Sequence, residues 1–354
     1  MYVSGPIAAF RLVNKEGHII YLFGDIHNSL ENQKECQISL DSTRIDQLLK
    51  RKFKSNPEEK FGFFLETDKN FIQQYNDEYF KEKSLSYMVL LQSFFSDNYS
   101  LDDSGKIQKS KHFPNVMFHY VDIRMNVPNR FYNYSINLYL TDMLKSIKET
   151  QKMFENYLNE FQKTKDYGKI HMDKYNNKTL RKNILTVEKE ILQEILALMT
   201  AFDKGIKKCQ AYEKKYDKKK YLFNNTVLNK ICLKIERIYI DLHKKTKSTI
   251  TMLNDLFLLR RLLDKKFNSS IDYVYTGFFH TLNILCFLLK YTDYSITHST
   301  GDTKFILNNS NNYNAKWYIN NFEILATNVV GYNPSFEQTP QQCINLEDFP
   351  ENLS

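Results

Sequence analysis

Cysteine is scarce and poorly placed for structural work. The five cysteines, Cys36, Cys209, Cys232, Cys286 and Cys343, are odd in number and widely separated. No Cys-x-x-Cys pair occurs, so neither a thiolate zinc site nor a disulfide framework is suggested. Such usage fits a reducing compartment. Long apolar runs are missing as well. Thr281 to Leu289 is the longest candidate, far short of the roughly 20 residues that cross a bilayer. The first residues lack the charged-then-apolar build of a secretory leader. These absences predict a cytoplasmic protein without a transmembrane segment. No Gly-x-Ser-x-Gly elbow is present, so a serine nucleophile has no motif to carry it. Internal repeats of fixed period are absent too.

Arginine is sparse and lysine is abundant, giving a formal net charge of +8 and a pI near 8.9. Much of the excess lies in Lys204-Gly-Ile-Lys-Lys and Lys214-Lys-Tyr-Asp-Lys-Lys-Lys. Lysine runs of this kind are read as a solvated helix face. No aromatic-plus-basic signature of an RNA-binding sheet accompanies them, so nucleic acid is not an expected partner. The 42% hydrophobic and 25% charged shares are those of a globular chain. At 354 residues, one large domain or two smaller ones can bury a core.

Residues 7–13, the turn Asn14-Lys-Glu-Gly17 and the run 19–23 read as a hairpin. Apolar spacing over 38–53 predicts a helix, with Asn28-Ser29 as a cap ahead of it. Phe61-Gly-Phe-Phe-Leu65 is a continuous apolar run, as in a strand covered on both faces. Residues 71–96 read as helix, and Val116 to Val121 as another strand. From Ser135 to about Lys266, Gly and Pro almost vanish, and helices are expected over 135–165, 181–206 and 225–266. That length exceeds one crossover connection, so it predicts an inserted helical subdomain or lid. Strand 271–276 and its helix follow. Residues 302–307 and 316–325 are read as short strands, and 334–354 as a loosely structured tail. The expected organisation is an α/β core in two halves, 1–134 and 269–333, around a helical insertion at 135–268, with a mostly parallel central sheet flanked by helices.

Four apolar runs end in polar residues: Gly24-Asp25-Ile26-His27, Glu66, Asp122-Ile123-Arg124 and Gly277-Phe278-Phe279-His280. In an α/β sheet, sites gather outside the carboxyl ends of the parallel strands. The four corners can therefore converge although they are far apart in sequence. Glycine suits each corner, either for positive φ or for close backbone approach. His27, Glu66, Arg124 and His280 are the candidate catalytic residues. His27, Glu66, His280 and Asp25 form a ligand set suited to a divalent zinc, manganese or iron ion. Without a metal, a histidine acts as general base on water with a carboxylate fixing its tautomer. Arg124 is placed to hold an oxyanion or an anionic substrate group. Each piece also has a plain structural reading: a hydrogen-bonded histidine, a helix-capping Glu66, an Asp122–Arg124 pair. It is their conjunction at strand ends that favours a site. His119 is read as packed core or a supporting residue, and His298 as a weaker candidate for the same pocket.

These corners resemble the TraB/TIKI and erythromycin-esterase/ChaN-like superfamily. That group has an early Gly-x-x-His, a strand-end Glu, an Arg after a later strand and a late Gly-x-x-His. Gly24 to His27, Glu66, Arg124 and Gly277 to His280 stand in that order here. The resemblance covers residues 19–124 and 271–290 and leaves out the helical middle and the tail. It implies an α/β fold with a helical insertion and a hydrolase-like site, metal-dependent in some members. One branch acts on peptides, one opens macrolide esters and one is linked to haem. The missing leader and anchor depart from the membrane-bound peptidase branch. The richness in Asn, Lys, Ile and Tyr also resembles that of large-DNA-virus proteins, which places the chain in host cytoplasm or virion.

Two functions follow. One is a hydrolase that activates water against an ester or peptide bond of a small-molecule or peptide substrate. The other is a catalytically inactive structural or host-interaction protein that uses the Lys-rich helical insert to bind a protein partner.

Overall fold

In the computed structural model, the described residues are 1–27, 36, 42–67, 86–100, 102–103, 107–122, 178–218, scattered positions between 233 and 252, 254–263, 268–331 and 341–350. Two compact units emerge. One comprises Met1–Ile123, Tyr175–Asn183 and Asn254–Ser354, the other Arg124–Lys174 and Ile184–Leu253.

The first unit is built on a six-stranded sheet. Its strands, in chain order, are β2 (Ala8–Val13), β3 (Ile19–Asp25), β5 (Phe61–Leu65), β6 (Val116–Tyr120), β7 (Ile271–Gly277) and β8 (Ser295–Ser299). Their spatial order is β6-β5-β7-β3-β2-β8. The β6–β5, β5–β7 and β7–β3 pairs are parallel, whereas β3–β2 and β2–β8 are antiparallel. The sheet is therefore mixed, which corrects the mostly parallel sheet expected from sequence. The cause is the hairpin. Gly17 at φ 85° closes a turn in which its N–H reaches Asn14 O at 3.1 Å, and a turn of this length can only return the chain antiparallel.

β5 and β7 are buried along their whole lengths, so their sequences show no polar alternation. One apolar cluster gathers Tyr21, Phe23, Phe63, Phe118, Tyr273 and Tyr275 with α1 (Ile45–Ser55) and α2 (Tyr87–Ser96). Phe53 of α1 is its hub, with ring centroids 5.4–6.3 Å from Phe61, Phe63, Phe94, Phe113 and Tyr273. Each such buried ring contributes roughly 1.5–3 kcal/mol through removal from water. Ser86 caps α2 by accepting the Val89 N–H at 3.2 Å.

Helix α3 spans Lys178–Lys218 and runs through Gly205 without ending there. Helix α4 (Phe278–Tyr291) starts directly from β7 and packs on β3. Residues 304–307 and 316–325 are helical rather than strands, and 302–303 belong to neither kind of element. The helical residues belong to α5 (Lys304–Asn309) and α6 (Ala315–Val330). The Asn314 side chain accepts the Trp317 N–H at 2.8 Å, and Gly331 at φ 67° ends α6. Those two caps outweigh the β-like composition between them.

The tail is also more ordered than its sequence suggests. β9 (Cys343–Asn345) joins β1 (Tyr2–Ser4) and β4 (Ser42–Arg44) in a second, three-stranded sheet, and Leu346 and Phe349 enter the core. Cys36 and Cys343 form a disulfide with Cα atoms 5.1 Å apart. Here the cysteine reading fails, because partners 307 residues apart leave no spacing pattern to recognise. The disulfide also removes the cysteine argument for a reducing compartment. The expected Asn28-Ser29 cap, the helix 135–165 and much of 225–266 lie outside the described residues. Among the described residues, no helix is long and apolar enough to cross a membrane.

Candidate functional site

β3 and β7 run parallel in register, Asp25 opposite Gly277. Both Gly-x-x-His corners therefore leave the sheet at its carboxyl rim. Glu66 follows β5, the other neighbour of β7, and its N–H donates to Tyr275 O at 3.1 Å. This shared rim brings three side chains to one place. His280 Nε2 lies 3.1 Å from Glu66 Oε1, and His27 Nε2 lies 3.5 Å from Glu66 Oε2. The Gly277 N–H donates to Glu66 Oε2 at 2.6 Å.

The outer nitrogens are also occupied. His27 Nδ1 faces Asp25 Oδ2 at 3.2 Å, and His280 Nδ1 is hydrogen-bonded to Asp255 Oδ1. The Asn283 side chain donates to Asp255 Oδ2 at 2.5 Å, and the Tyr313 hydroxyl donates to Asn283 Oδ1 at 2.7 Å. On the other side, the Gln342 side chain donates to Asp25 Oδ1, which also accepts the Ile26 N–H at 2.8 Å. The result is a continuous relay, Asp25–His27–Glu66–His280–Asp255, in which one carboxylate bridges two imidazoles and each imidazole has a carboxylate behind it.

The two corner glycines serve close approach, not unusual backbone angles. Gly277 has φ −55°, and a Cβ there would lie 2.8 Å from His27 Nε2. A Cβ on Gly24 would meet the Phe278 ring at 2.7 Å, so that glycine lets α4 settle on β3. The unusual angle falls on His27 itself, whose φ is 56°.

Exposure separates the two histidines. The His27 side chain is 41% exposed and that of His280 only 4%. Burial opposes charge on both rings. Against it, Asp25 and Glu66 push His27 up to about 10, and Asp255 and Glu66 push His280 up to about 10. The carboxylates thus favour the imidazolium form of both rings. Burial raises Asp255, partly offset by the His280 charge and hydrogen bond and by Asn283.

Of the residues expected from sequence, His27, Glu66, His280 and Asp25 are brought together. Asp25 sits behind His27 rather than beside Glu66. Asp122 is described, with its N–H donating to Thr67 O at 3.0 Å, while Arg124 lies outside the described residues. His119 is fully buried and stacks on Phe64 at 4.4 Å between centroids. His298 lies on β8 beside Phe349, away from the relay. Sequence reasoning missed Asp255, Asn283 and Gln342. A lone acid within Leu253-Asn-Asp-Leu-Phe257, and an Asn one helical turn after His280, were the available signals. Nothing local marks Gln342.

The inner nitrogens point at separate oxygens of Glu66 rather than at one shared point. Among the described residues, no group of three or more His, Cys, Asp or Glu is disposed to hold a metal ion. A cavity of about 600 Å³ lies at the opposite, amino rim of the sheet, lined in part by His18, Arg261, Asp272 and Tyr294. There His18 Nε2 lies 3.2 Å from Asp272 Oδ2 and His18 Nδ1 lies 2.5 Å from the Tyr294 hydroxyl. None of the corner residues lines that cavity.

Fold and site thus define a mixed α/β protein with a carboxylate-bridged histidine pair at one rim. The chain belongs to the family described as "Family of unknown function (DUF5847)", whose profile matches residues 1–148 and 150–354. It is similar to three proteins of Acanthamoeba polyphaga mimivirus. Uncharacterized protein R161 is 23% identical over 84% of this chain and 87% of its own length. Uncharacterized protein R706 is 24% identical over 84% of this chain and 86% of its own. Uncharacterized protein R160 is 23% identical over 99% of this chain and 97% of its own. No solved structure matches.

Proposed function

We propose that the protein is a hydrolase that activates water at the His27–Glu66 edge and acts on an ester or peptide bond. The observation that carries this reading is the single Glu66 carboxylate held between two imidazoles, one open to solvent and one buried. Because Asp25 and Glu66 favour the cationic form of His27, that ring serves as the acid: its Nε2–H steadies the oxyanion and then protonates the leaving group. Glu66 is the base that takes the proton from water. His280, fixed by Asp255, and the Gly277 N–H hold the Glu66 oxygens in place. The likeness to the TraB/TIKI and erythromycin-esterase/ChaN-like group supports the same chemistry.

A metal-dependent version would use His27, Glu66 and His280 as ligands, with Asp25 and Asp255 orienting the rings, and the ion would acidify a bound water. The described donors do not converge on one point, and in this arrangement they do not fit an ion. Similarity to viral proteins supports work in host cytoplasm or virion, and the virion is the setting where a disulfide persists more readily.

A second reading rests on α3. Leu185 and Leu196 are exposed and lie three helical turns apart on one face, on the same helix as Lys204, Lys207 and Lys208. That face suits a protein partner.

The test is hydrolysis of nitrophenyl esters and chromogenic peptides by the purified protein, with metal content measured in parallel. His27→Ala and Glu66→Gln are each expected to lower the rate by about 10²–10⁴ without loss of fold. Equal rates in wild type and both variants would refute the hydrolase and leave the α3 reading.

A further inference from the structure

We propose that Gln342 is a positioning residue for the His27 corner, and that the Cys36–Cys343 disulfide holds it there, so that thiol reductants loosen the site. This rests on the hydrolase reading for its consequence, but not for its geometry.

Gln342 immediately precedes Cys343 and is fully buried. Its side-chain NH2 donates to Gly5 O at 2.9 Å and to Asp25 Oδ1, and its main-chain carbonyl accepts the Gly5 N–H at 3.0 Å. Asp25 is buried too, and its other oxygen faces His27 Nδ1. Asp25 thus has one oxygen for the imidazole and one for the amide. Without the amide, a buried carboxylate loses a donor and its fixed angle to the ring.

What keeps Gln342 in place is short. β9 is three residues long and, among the described strands, is hydrogen-bonded to β1 alone, itself three residues long. Strands of that length hold register weakly. The disulfide adds a covalent stop one residue beyond the amide, joining it to Cys36, whose N–H reaches Ser4 Oγ at 3.5 Å. Downstream, Leu346 and Phe349 stay anchored in the core. Opening the disulfide therefore frees the corner without releasing the whole tail.

Chemically the step is an exchange. A dithiol transfers two electrons and two protons, the Cys36–Cys343 bond breaks to give two thiols, and the reagent closes to its own disulfide. Cys343 is half-buried and Cys36 is buried, so exchange is expected to begin at Cys343.

The experiment measures carbethoxylation of individual histidines in the full chain by mass spectrometry. His112, which is exposed, gives the reference rate, and His280, which is buried, reports the fold. The compared states are oxidised protein, protein reduced with dithiothreitol, Cys36→Ser/Cys343→Ser, and oxidised Gln342→Leu. The expected result is a rise of about tenfold or more in the His27 rate relative to His112 in the last three states, with His280 still protected and the oxidised rate restored on reoxidation. An unchanged His27 rate on reduction overturns the proposal. So does a rise on reduction that Gln342→Leu fails to reproduce, and so does deprotection of His280, which would make the disulfide a general staple. The readout needs no substrate, so a protein that hydrolyses nothing but shows the His27 response refutes the hydrolase reading alone.

Discussion

Replacing Gly277 by alanine separates the two histidines of the relay without disturbing the sheet. Gly277 has φ −55° and ψ 148°, angles open to any L-residue. The backbone cost is therefore nil, and the gain from a less flexible unfolded chain is about 0.4–1 kcal/mol. The new Cβ stands 2.8 Å from His27 Nε2 and 3.3 Å from Glu66 Oε2. Ordinary contact needs about 3.4 Å, so the ring must retreat by roughly 0.6 Å, which takes the His27–Glu66 separation from 3.5 Å to about 4 Å, the outer limit of an ion pair. His27 is the end of an exposed side chain and can move. His280 keeps its contacts. The expected outcome is a folded protein within about 1 kcal/mol of wild type. Its His27 titrates at least one unit below the value of about 10, read by nitrogen-15 NMR of the imidazoles, and its ester hydrolysis falls in step. Retention of both the titration and the rate would refute the claim that Glu66 couples the corners.

Further outcomes follow from the same geometry. His280 is raised from 6.5 to about 10 in the fold, so its contribution to stability is complete below pH 6.5 and disappears as pH climbs through 10. At about 1.4 kcal/mol per unit, that is a loss of a few kcal/mol, to be read as a falling urea midpoint between pH 7 and 10. The hydrolytic rate should fall over the same alkaline range as His27 gives up its proton. Asp255→Ala leaves His280 with an unpartnered buried nitrogen and is expected to cost about 3–5 kcal/mol by denaturant titration, with the His280 titration displaced downward. Gly62→Ala would drive a Cβ to 2.1 Å from Asp272 Oδ1 and should cost roughly 1–3 kcal/mol as a core overpacking, with no direct effect on the His27–Glu66 contact.

The parts of the molecule legible in sequence are those where chemistry and local pattern coincide. Phe61 to Leu65 and Ile271 to Gly277 announce buried strands because nothing polar interrupts them, and both are buried throughout. Asn14 and Gly17 announce the hairpin because that turn needs a residue comfortable at positive φ. The same hairpin dictates the antiparallel ladders that a mostly parallel sheet left out. Where the sequence misleads, the deciding contacts are distant. Residues 316–325 read as strand until Asn314 and Gly331 are seen to cap a helix around them. The Cys36–Cys343 bond and the Gln342–Asp25 contact join residues more than 300 positions apart, a separation no periodicity encodes. Asp255 escaped notice because a single acid in an apolar helix acquires meaning only once His280 is beside it.

His27 occupies a left-handed backbone conformation that favours glycine and costs other residues about 1–2 kcal/mol. The chain would be sturdier with a glycine there, yet it carries an imidazole. The tension is local and released by a single substitution, so the corner is a place where the molecule trades robustness for a proton-bearing group at its surface. Selection for thermal endurance alone would strip out the very atom on which the proposed reaction depends.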